Sequence, residues 1–132
     1  MAKSSKLLVT RGSRVLLVRR KRDGRWTFPG GKRKNPGENA ARCLKRELAE
    51  ELPGLRCRGA KLWRKVKGTN PETGRRVDHV IFTAKNVSGA LVIGDQGELD
   101  KAAWRKPWGV RLAPNTRFVR DLLLPRRSAS SR

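Results

Sequence analysis

Between residues 40 and 52 the apolar positions Ala41, Leu44, Leu48 and Leu52 recur at intervals of three and four, which places them in one stripe on a helix. Glu47, Glu50 and Glu51 run beside that stripe rather than opposite it. Such a helix packs one edge on a core and opens the other onto a cleft. Elsewhere the pattern has the period of strands. Lys6–Thr10 and Arg14–Arg20 are β-branched and Leu-rich runs around Arg11-Gly12-Ser13, predicting a hairpin. Trp26 and Phe28 alternate with Thr27 as core-facing residues of a short strand after the Asp23-Gly24 turn. Arg56–Lys67 is predicted as one strand with a cationic face, Gly68–Gly74 as a loop, and Val77–Lys85 as a further strand carrying Asp78 and a structurally bonded His79 at its start. Val87–Gly97, punctuated by glycines, is predicted as a loop leading to a strand around Ala103-Trp104. A last helix is predicted from Thr116 to Leu124, with Phe118, Val119, Leu122 and Leu123 buried and Asn115 as its N-cap. Strands around one central and one terminal helix predict an α/β sandwich.

Length limits this pattern to one domain. A chain of 132 residues with 36% hydrophobic content supports a single modest core. We place that domain at 1–125 and expect 126–132 to be a basic, disordered tail. Charge changes the picture more. With 33 Lys and Arg against 11 Asp and Glu, the net charge is +22, a surface that attracts polyanions, whether small polyphosphates or RNA and DNA. Cys43 and Cys57 form no CxxC and have no His cluster beside them, so they predict reduced thiols and a cytoplasmic protein. The apolar runs of the first twenty residues are too short for a signal sequence or a membrane span. No feature of the chain speaks to oligomeric state.

The chemistry concentrates around the amphipathic helix. Carboxylates as close as Glu47, Glu50 and Glu51 repel one another unless a cation sits among them, which predicts a metal site. Oxygen ligands suit hard cations such as Mg²⁺ or Mn²⁺, which also grip phosphate. Ala40 and Cys43, small and on the acidic side, are expected to leave room for a ligand. Arg46, four residues before Glu50, is expected to orient it. Gly30 and Gly31 allow close backbone approach to a ligand, Lys32 offers a charge for phosphate, and Glu38 is expected to open the helix and complement its dipole.

At these residues the chain resembles the Nudix hydrolases, whose signature is G, five residues, E, seven residues, then R-E-U-x-E-E-x-G-U with U aliphatic. Glu38, seven residues, then Arg46-Glu47-Leu48-Ala49-Glu50-Glu51 matches without a gap. Six residues rather than five separate Gly31 from Glu38, and Pro53 is inserted before Gly54-Leu55. The resemblance covers most of the chain. It implies an α/β/α sandwich with a mixed β-sheet and a catalytic loop-helix-loop. It also implies a metal shell of Glu47, Glu50, Glu51 and the Gly31 carbonyl. An acid of the later loop completes the shell or serves as base, Glu98 being the best match with Asp95 and Asp100 as competitors. Arg20 is implied to touch a substrate phosphate, and Asn115 to contact a base. The expected activity is metal-dependent cleavage of a phosphoanhydride in a nucleotide, with Glu47, Glu50, Arg46 and Glu98 as catalytic residues and Lys32, Arg20 and Asn115 on substrate. A nucleoside triphosphate or its oxidised form is the expected substrate. RNA 5′-end pyrophosphate removal, or a basic nucleic-acid-binding module without turnover, are the alternatives.

Overall fold

Alternating side chains sort the two faces of the strands between two helices in the computed structural model, which describes residues 3–124. In chain order the strands are β1 (Ser4–Leu7), β2 (Thr10–Arg11), β3 (Arg14–Arg20), β4 (Trp26–Thr27), β5 (Gly30–Lys32), β6 (Leu55–Arg58), β7 (Lys61–Thr69), β8 (Arg76–Thr83), β9 (Asn86–Gly89) and β10 (Leu99–Arg105). Helix α1 (Ala40–Glu51) follows β5, and α2 (Pro114–Leu123) follows β10. One sheet has the order β5-β1-β8-β7, with β1 and β8 parallel and the outer pairs antiparallel. A second, antiparallel sheet has the order β10-β3-β2 with β4 on β3, and β6 pairs with β9 in a small ribbon.

Leu16 and Val18 of β3 and Val80 and Phe82 of β8 join Leu44 of α1 and its C-cap Leu52 in one core cluster. Val15, Leu17, Val77 and Ile81, the alternate positions of the same strands, join Val119 of α2 in the other. The result is the α/β/α sandwich with a mixed sheet that the sequence predicts. Burying Leu44 and Leu52, each worth roughly 1.5–3 kcal/mol, fixes the roll of α1 and hence the direction of its acidic face.

Several boundaries differ from expectation. Lys6–Thr10 is extended but serves both sheets: Leu7 and Leu8 donate to Pro29 and Phe82, whereas the Val9 carbonyl accepts from Leu16. The predicted hairpin is therefore confined to β2 and the start of β3. Arg56–Lys67 is not one strand. Gly59, at φ 67°, turns the chain between β6 and β7. Inside the predicted loop Val87–Gly97, β9 forms by pairing with β6. Helix α2 starts at Pro114, whose fixed φ suits the first helical position. Asn115 is thus inside the helix rather than its N-cap; that position is Ala113, which makes no side-chain cap. Leu122, expected to be buried, is 58% exposed, and Ala41 is exposed as well. The tail expected at 126–132 lies outside the described residues. Among the described residues no helix is long and apolar enough to cross a membrane.

Candidate active site

Helix α1 begins with Asn39, whose Oδ1 accepts from the Arg42 amide at 2.9 Å. Glu38 therefore stands outside the helix and does not complement its dipole as expected. It turns back instead, accepting from the Lys34 amide at 2.8 Å and from Arg46 Nε and a terminal nitrogen at 2.7 and 3.0 Å. These donors, Arg46 foremost, push its carboxyl down to about 2. Arg46 also donates to Glu47 at 2.8 Å, to the Lys32 carbonyl at 3.0 Å, and at 3.4 Å to Glu50. One planar guanidinium thus ties the loop before the helix to two carboxylates on it, a multidentate geometry a lysine cannot copy. Hydrogen bonds to Glu38 are the main cause of its raised pKa.

Strand β5 brings the glycines against this face. The Gly30 amide donates to Glu51 at 3.0 Å. A Cβ on Gly31 would sit 2.5 Å from the Glu47 carboxyl carbon, so Glu47 lies in space that only glycine leaves open. Cys43, expected to leave room for a ligand, is instead fully buried beneath Gly31 and donates its thiol to the Gly31 carbonyl at 3.3 Å. Burial first, then the negative charges of Glu47 and Asp95, outweigh the Gly30 amide and Lys6 and push Glu51 up to about 7. Lys6 was not singled out in the sequence. Lys6 is half-buried with its ammonium 3.5 Å from the Phe28 carbonyl, and is held below its usual value chiefly by desolvation, against the pull of Glu51 and Glu47. A lysine directly before Leu7-Leu8-Val9 in a central strand was the available signal.

Across β5 and β1 lies a cleft of about 800 Å³. Lys6, Arg20, Arg22, Lys32, Arg75 and Arg76 give it a cationic lining, and Asp78, His79, Asn115 and Thr116 line it as well. Arg20 reaches the cleft but is also ion-paired with Asp23, Nε lying 3.2 Å from one carboxylate oxygen. Asn115 is exposed, and its Oδ1 accepts from buried Asn70 at 3.0 Å, which pins the loop after β7 to the start of α2. Thr27 and Thr116 are joined through their hydroxyls at 2.8 Å.

The loop acids separate. Asp100 is committed to Arg19 at 2.8 and 2.9 Å. Glu98 is exposed, its carbonyl accepting from the Lys21 amide at 2.8 Å. Asp95 is the one whose charge is felt at Glu51.

The three helix carboxylates do not converge as expected. Among the described residues no group of three or more His, Cys, Asp or Glu is gathered to hold a metal ion. Like charges take the nearest donors: Glu47 turns to Arg46, Glu51 to Gly30, and the half-exposed Glu50 reaches toward solvent. The donor chemistry nevertheless fits a hard divalent cation. Every candidate atom is a carboxylate or carbonyl oxygen, and the upward push on Glu51 is what an added positive charge relieves.

The profile of the NUDIX domain family matches residues 4–126. This chain belongs to the Nudix family of hydrolases, enzymes that cleave phosphoanhydrides and generally use divalent metal ions. No curated protein matches it significantly. Solved structures do. A MutT Nudix hydrolase from Burkholderia pseudomallei is 24% identical with a TM-score of 0.75, covering 92% of this chain and 97% of its own. A mutator MutT protein from Bacillus halodurans is 21% identical at 0.67, covering 90% and 79%. An ADP-ribose pyrophosphatase from Streptococcus suis is 17% identical at 0.64, covering 87% and 81%. At these identities the likeness establishes the fold.

Proposed function

We propose that the chain hydrolyses nucleoside triphosphates, oxidised ones among them, to a nucleoside monophosphate and pyrophosphate. The observation that carries this reading is the cationic cleft of about 800 Å³, which is lined in part by Gly31, packed against Glu47, and by Lys6, whose charge is felt at Glu51. Its volume suits one nucleotide, and its basic side chains suit a polyphosphate. The MutT proteins named above add support; the ADP-ribose pyrophosphatase marks the competing substrate class.

Glu47, Glu50, Glu51 and the Gly31 carbonyl are the residues that would hold Mg²⁺ or Mn²⁺. When bound, such a cation neutralises charge at the phosphate oxygens and eases deprotonation of the attacking water. Arg46 fixes the direction of the Glu47 carboxylate. Lys32, Arg20 and Arg22 hold the phosphates. Water attacks a phosphorus, the anhydride P–O bond breaks, and the water's proton passes to a carboxylate. Glu51 on the helix and the loop acids Asp95 and Glu98 are the candidates for that role. The proposed compartment is the cytoplasm, in keeping with the free thiols of Cys43 and Cys57.

A second reading, removal of pyrophosphate from RNA 5′ ends, draws on the exposed cations Arg56, Arg58, Lys61, Arg64, Lys65 and Lys67 of β6 and β7. The deciding experiment measures phosphate and pyrophosphate release from plain and 8-oxo nucleoside triphosphates, ADP-ribose, dinucleoside polyphosphates and 5′-triphosphorylated RNA, with Mg²⁺ or Mn²⁺ and with chelator. Pyrophosphate from free triphosphates supports the first reading, and turnover of RNA alone supports the second. Salt-sensitive RNA binding with no hydrolysis overturns both in favour of a binding module.

A further inference from the structure

We propose that His79 reads the base of the bound nucleotide, its imidazole hydrogen-bonding to the base edge within the cleft. The inference rests on the nucleotide reading given above and goes on to assign the part of the substrate that β8 recognises.

His79 lines the cleft with Ser4, Asp78, Asn115 and Thr116, and only 7% of its surface is exposed. Its Nδ1 is buried with no hydrogen-bond partner among the described residues. Buried polar atoms are nearly always paired, and an orphan on a residue that lines a cavity points to a partner that arrives with a ligand. Its neighbours in register are Ser4 on β1 and Val66 on β7; Val66 offers no polar group. The groups that set its charge are Lys6 and Asp78. Burial foremost, and then Lys6, hold the ring down to about 4 against a hydrogen bond with the Asp78 backbone and the Asp78 charge. At neutral pH the imidazole is therefore uncharged, with one nitrogen donating and the other accepting. A neutral donor and acceptor pair matches a nucleobase edge. Phosphate, by contrast, has Lys6, Arg20, Arg22, Lys32, Arg75 and Arg76 in the same cleft. Asn115, in the same lining, supplies a neutral amide for the same base.

His79 is the single histidine of the chain, so the imidazole ¹⁵N resonances of the full-length protein report on this site alone. The probes are a non-hydrolysable nucleoside triphosphate analogue, with each of the common bases in turn, and inorganic tripolyphosphate. Nucleotides are expected to shift the ring nitrogens by amounts that depend on the base, while tripolyphosphate leaves them in place. His79→Leu is expected to raise KM for the preferred triphosphate roughly tenfold, the size of one hydrogen bond. In that variant kcat is largely kept and the melting temperature is unchanged or higher, because an unpaired buried nitrogen has been removed. His79→Gln restores part of the affinity. Ring resonances that stay still while nucleotide binds and turns over, or that move equally with tripolyphosphate, overturn the assignment and leave the proposed activity standing. A fall in melting temperature with KM unchanged also overturns it, since that is the signature of a purely structural histidine. Absence of both binding and turnover across the nucleotides overturns the substrate reading and this proposal with it.

Discussion

Replacing Gly31 with alanine separates the carboxylate geometry from the fold. A Cβ at that position meets the Glu47 carboxyl at 2.5 Å, where ordinary contacts begin at 3.4 Å. Glu47 must therefore withdraw by about 1 Å. The obstacle is the end of a flexible side chain, so the backbone has no need to move, and the loss of stability stays within about 1 kcal/mol. For a domain of this size that lowers the melting temperature by no more than about 5 °C. The displaced carboxylate also loses its 2.8 Å bond from Arg46. A misplacement of about 1 Å costs on the order of 100-fold in rate, or about 2.7 kcal/mol of barrier. The assay is pyrophosphate release under kcat/KM conditions, alongside thermal unfolding. Gly30→Ala is the contrasting control. There a Cβ would meet the Ser5 carbonyl at 2.0 Å, in backbone at φ 129°, so that variant fails as a folded protein. A folded Gly31→Ala enzyme within about threefold of wild type would refute the reasoning, because the close approach of Glu47 to β5 would then have no bearing on turnover.

Arg46→Lys keeps the charge but not the fork that joins Glu38, Glu47 and the Lys32 carbonyl. Turnover is expected to fall about 10- to 100-fold, and undiminished kcat/KM would show the clamp to be dispensable. Glu51 titrates at about 7 in the folded chain, above its ordinary value of 4.5, so the stability tied to its proton is full below pH 4.5 and lost as pH rises through 7. His79, lowered to about 4, runs the opposite way, its contribution being present above pH 6.5 and lost as pH falls through 4. The comparison to make in chelator is thus wild type against Glu51→Gln by denaturant unfolding: the difference moves against wild type by about 3 kcal/mol between pH 4.5 and 8, and a pH-independent difference would contradict the assignment. Among the loop acids, Asp95→Asn is expected to lower kcat more than Glu98→Gln does, since Asp95 is the one felt at Glu51; the reverse order in steady-state kinetics would return the role to Glu98.

The parts of the site legible in the sequence are those set by local periodicity. Spacings of three and four put Glu47, Glu50 and Glu51 beside the Leu44–Leu48–Leu52 stripe, and Leu44 and Leu52 are buried accordingly. Periodicity gives a face and not a rotamer. Each carboxylate then follows its nearest donor, which is why the three do not meet. Glu38 escaped the reading because Asn39 competes for the cap and Arg46, eight residues on, is the stronger partner. The split of Lys6–Thr10 between two sheets depends on partners more than twenty residues away, at Pro29 and Phe82. Lys6 and His79 became site residues only when β1 was laid parallel to β8, with Ser4 opposite His79. Asn115 was misplaced by two residues because Pro114 itself serves as the first helical residue.

The central claim is that the acidic face of α1 drives metal-dependent cleavage of a phosphoanhydride. The direct measurement is pyrophosphate release from dGTP by wild type and by Glu50→Gln, each with Mg²⁺ and with chelator, the fold being checked by circular dichroism. Release by wild type with Mg²⁺ alone, abolished in a folded Glu50→Gln protein, is the predicted result. Equal release by both proteins, or release that chelator leaves untouched, would contradict the claim.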